Sequence, residues 1–140
     1  MRQLSEQLLA SQQVKVATEL HKIRQRCDDF YDYLEPHMML QYAGDVRIVQ
    51  KKLSEVVEQI QWIHREQSLY KLPLTAYPDV EDLGGSLDLF YRLFYVIGRW
   101  QKAEKKYAAL NLFSSHHITS SELLGFRFCF FFIFRFWAVR

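Results

Sequence analysis

Asp28, Asp29, Asp32 and Glu35 lie within eight residues of one another. Paired carboxylates are what general acid–base catalysis requires. The sequence also offers them a plainer role, as a solvated acidic face near a helix end, with Arg24 four residues before Asp28 to relieve the charge. His116 and His117 carry metal-ligating nitrogens, but adjacent residues do not share a helix face. No Cys, Asp or third His stands nearby at ligand spacing. His21, His37 and His64 have no acid or nucleophile paired with them by sequence, and Ser114, Ser115, Ser120 and Ser121 read as loop polarity. A phosphate cradle needs a glycine-rich loop ending in Gly-Lys-Ser/Thr; Gly84 and Gly85 are followed by Ser86 and no lysine. The residues therefore predict no catalytic site, no cofactor and no metal.

The totals narrow the partners. The chain has 140 residues, 49% hydrophobic and 24% charged, an ordinary globular mix with length for one domain. Its net charge of +2 is unevenly placed. Met1–Lys106 holds 15 residues of each sign, and the excess comes from Arg127, Arg135 and Arg140 against Glu122. A neutral, interspersed body is a poor surface for nucleic acid or anionic lipid, which reward clustered positive charge. Cys27 and Cys129 show no motif spacing, so a buried thiol is expected at Cys27 and a disulfide framework is not. The polar N-terminus resembles neither a signal nor a transit peptide, which leaves a cytosolic or cytoskeletal location.

The elements that would position these side chains are helices. With 5 Gly and 3 Pro, tight turns are few. Leu9, Val16, Leu20, Ile23, Cys27, Phe30 and Leu34 follow steps of three and four, with a polar slot at Gln13. Pro36 ends that helix near Tyr33–Glu35 and opens another. Met39, Tyr42, Val46, Val49, Leu53, Val56, Ile60 and Ile63 form a second seam, weakened by about 1 kcal/mol at Gly44. The short link predicts an antiparallel hairpin with facing seams.

Residues 69–79, with Pro73 and Pro78, read as an extended connector. Pro78 followed by Asp79, Glu81 and Asp82 marks a helix start. Val80, Leu83, Leu87, Phe90, Phe94 and Ile97 make a third seam, which Gly84–Gly85 is expected to kink or delay and Lys102, Lys105 and Lys106 to close. Trp62, Tyr70, Tyr91, Tyr95 and Trp100 lie beside the seams, suiting a second packing face. From about Tyr107 the pattern changes, and residues 123–140 are aromatic on all sides. Eleven Leu, Ile, Phe and Val residues there favour membrane insertion by roughly 5 kcal/mol, which Arg127 and Arg135 offset at up to about 3 kcal/mol each. A membrane anchor is therefore not the expected reading.

One segment resembles a known family. Leu72-Pro73, then Tyr77-Pro78-Asp79-Val80, then the aromatic spacing of Leu87–Trp100 closing on Lys102-Ala103-Glu104-Lys105-Lys106, is similar to the start of the linker region in dynein heavy chains, closest in wording to the axonemal type. The fold expected from the seams is all-α, and the resemblance places its antiparallel helical hairpin, 1–68, in the tail and its loop and third long helix, 69–106, at the start of the linker. Over 107–140 the chain departs from the family, and an irregular aromatic tail from splicing or truncation is the expected reading. The resemblance implies a non-catalytic structural fragment without the motor ring, from a family acting in microtubule-based movement of cilia. The implied partners are other dynein subunits (intermediate, light intermediate or light chains) and the rest of the heavy chain, in the ciliary axoneme. A small coiled-coil scaffold and a tail-anchored membrane protein are the alternatives that the residues leave open.

Overall fold

A computed structural model describes residues 2–111. Helix α1 spans Arg2–Asp29, α2 spans Met39–Leu69 and α3 spans Asp79–Asn111, and among the described residues there is no strand. The chain divides into a compact unit, Met1–Ala103, and a second unit from Glu104 onward. Residues 112–140, including His116, His117, Cys129 and the aromatic tail, lie outside the described residues.

The seams become the core because each helix alone has nowhere to hide an apolar stripe. Leu9, Val16, Leu20, Ile23, Cys27 and Phe30 of the first seam are buried, as are Met39, Val46, Val49, Leu53, Val56, Ile60 and Ile63 of the second. Leu83, Leu87, Phe90 and Phe94 complete it from α3, while Val80, Ile97 and Tyr42 are half-buried and Ala43 is buried beside Tyr42.

Cross-helix contacts fix the register. The Tyr33 and Tyr42 rings meet at 4.6 Å, tilted by 32°, across the α1–α2 turn. Between α2 and α3, Arg47 lies over the Tyr91 ring at 3.9 Å and Tyr42 meets Phe94 at 5.7 Å, so α3 climbs as α2 descends. Arg24 pairs with Asp79 at 2.7 Å and Tyr31 meets Phe90 at 4.8 Å, so α1 and α3 run in the same direction. The α2 and α3 backbones approach tightly at Gly98, where a Cβ would sit 2.6 Å from Leu40 Cγ and 3.0 Å from its backbone nitrogen. Only glycine lets the backbones pass there.

The structure corrects several expectations. Leu34 is 47% exposed, because the chain has left α1 through a 3-10 turn at Phe30–Asp32 before reaching it. Pro36 opens a second 3-10 turn, Pro36–Met38, that leads into α2. Gly84 and Gly85 neither interrupt nor delay α3, which runs continuously from Asp79; neither has a positive φ, and Gly84 faces Leu53 with room to spare, 3.9 Å from where its Cβ would stand. Helix α3 also runs past Lys106 to Asn111, beyond where the basic cluster was expected to end it.

Candidate functional site

The acidic group stays at the surface. Asp28, Asp29, Asp32 and Glu35 are all exposed, and Glu35 lies 3.2 Å from His37. Arg24, expected beside Asp28, reaches across to Asp79 at the start of α3 instead. His21 is exposed on α1. Among the described residues no group of three or more His, Cys, Asp or Glu is placed to hold a metal. Cys27 is 4% exposed, and burial, with a smaller push from Asp28, raises its thiol above the ordinary range despite Arg24. A thiol held protonated is a poor nucleophile.

The described residues do gather polar side chains at one place, the connector between α2 and α3. Helix α2 stops there without glycine or proline. Lys71 adopts a left-handed φ of 54°, Leu72 N–H donates to Gln67 O at 2.8 Å and Lys71 N–H to Ser68 O at 3.2 Å. This pair of bonds turns the chain back and satisfies carbonyls that a helix end leaves open.

Gln67 does more than accept that bond. Its side chain is 3% exposed; its amide donates to Thr75 Oγ1 at 2.8 Å and its carbonyl oxygen accepts from Thr75 N–H at 3.1 Å. Gln13 on α1 donates to the same hydroxyl oxygen at 3.2 Å. His64 Nε2 donates to Thr75 O at 2.7 Å, which fixes the tautomer that carries its proton on that nitrogen. Thr75 is thus held at its N–H, its hydroxyl and its carbonyl by α1 and α2 together. Buried polar groups satisfied in this way specify a unique arrangement. Beside the clasp the Tyr77 hydroxyl is buried with no partner, and burial raises its pKa above the ordinary phenol range.

Leu69, Leu72 and Leu74 are exposed on the outside of the clasp, and a shallow open depression is lined by His64, Arg65, Ser68, Leu69 and Leu74. The arrangement can order a loop and present apolar side chains. The sequence singled out Gln13 only as a gap in a seam, and gave no signal for Gln67 or Thr75. The signal available was a polar residue on an apolar stripe: Gln67 follows Ile63 by four, continuing the α2 seam.

The aromatic side chains beside the seams separate into different settings. Tyr91 is half-buried under Arg47 and stacks on Tyr95 at 5.7 Å, whose ring lies 5.9 Å from Arg99. Trp62 and Trp100 are half-buried, and Tyr70 is 37% exposed. Among the described residues no helix is long and apolar enough to cross a membrane.

No family model matches the chain, and no solved structure does. It is 33% identical over 99 residues to dynein axonemal heavy chain 12 of Mus musculus. The human and Rattus norvegicus proteins of that name match at 32% over the same length. In each case the match takes in 71% of this chain and 3% of the relative. The chain is related in sequence to the axonemal dynein heavy chains, and corresponds to a small part of their length.

Proposed function

We propose that this chain is a non-catalytic structural element of the axonemal dynein heavy-chain type, serving microtubule-based movement of cilia. The observation that carries the reading is the 33% identity to dynein axonemal heavy chain 12 over 99 residues. What supports the structural part is the use of the side chains. The seams are consumed in packing, the acids at the end of the first helix are exposed, and the gathered polar residues tie a loop to two helices. In this reading the segment lies at the junction of tail and linker, with 1–68 as the hairpin, 69–106 as the loop and third helix, and 107–140 as an atypical end. Its role is to hold the two helical parts at a fixed angle through the clasp at Thr75. Other dynein chains and the remainder of a heavy chain are its partners, at the axoneme.

Two measurements test this. Pure protein mixed with ATP and magnesium should show no phosphate release above a buffer control; turnover proportional to protein would contradict the non-catalytic role. A fluorescently tagged chain expressed in ciliated cells should concentrate in the axoneme, and uniform cytosolic signal would contradict the ciliary one.

A further inference from the structure

We draw no further inference here: the strongest candidate, the open depression beside the end of α2 lined by His64, Arg65, Ser68, Leu69 and Leu74, is a largely apolar surface patch, and nothing in the structure shows what covers it.

Discussion

The two ends of the Met1–Ala103 unit are closed by opposite means. At the α1–α2 turn, Phe30 is fully buried and meets Tyr33 at 5.2 Å, Phe90 at 5.8 Å and Phe94 at 6.3 Å. At the other end, the connector is held by hydrogen bonds that converge on Thr75 from Gln13, His64 and Gln67. The aromatic end gains stability from area and tolerates small changes of geometry, since apolar contact has no direction. The polar end gains less net free energy, but its bonds are directional and each partner is costly to strand. One end supplies stability and the other supplies a defined path for the chain between α2 and α3.

Truncation at the aromatic end is expected to have the largest effect. Phe30→Ala removes a fully buried ring that packs on Tyr33 of the turn and on Phe90 and Phe94 of α3, and should cost about 3–5 kcal/mol in urea denaturation. A loss below about 1 kcal/mol would mean that the aromatic cluster is not packed as described. Gln67→Ala strikes the polar end. It strands Thr75 N–H and leaves its hydroxyl with Gln13 alone, for an expected loss of about 1–3 kcal/mol. Its signature is local: the connector should become sensitive to protease, whereas Phe30→Ala should loosen the whole unit together.

A smaller change of opposite sign sharpens the contrast. Lys71 holds a left-handed backbone that glycine adopts without penalty, so Lys71→Gly should raise stability by about 0.5–1 kcal/mol. A loss on that substitution would mean the left-handed turn does not form. The smallest effect belongs to Arg24→Ala. The Arg24–Asp79 pair bridges α1 and α3, but its side chains are 47% and 57% exposed. Water screens such a pair, and the melting temperature should change little, with any effect fading in salt.

The sequence made the aromatic end readable and the polar end nearly opaque, for a physical reason. Apolar side chains repeat at the helical period because burial selects a whole face, so Phe30, Phe90 and Phe94 were visible from spacing alone. Leu34 keeps the spacing of the seam but not its burial, because periodicity does not see a helix end that precedes the proline. The clasp joins Gln13, Gln67 and Thr75, residues up to 62 positions apart, and no periodicity links them. The α2 terminus was equally hidden, since Lys71 occupies the position where glycine would have announced a turn. Gly98 gave no signal either: a glycine inside a helix reads as a weakness, and only the Leu40 backbone beside it shows why nothing larger fits.

Native-state hydrogen exchange, resolved by residue, tests most directly whether the connector is built into the bundle. The amides of Leu72 and Thr75 donate to Gln67, a buried residue that continues the α2 seam. They should therefore be strongly protected, opening with a free energy that approaches that of the α2 core amides around Val56 and Ile60. Exchange of Leu72 and Thr75 at the rate of an unstructured peptide, while the α2 core stays protected, would contradict the account.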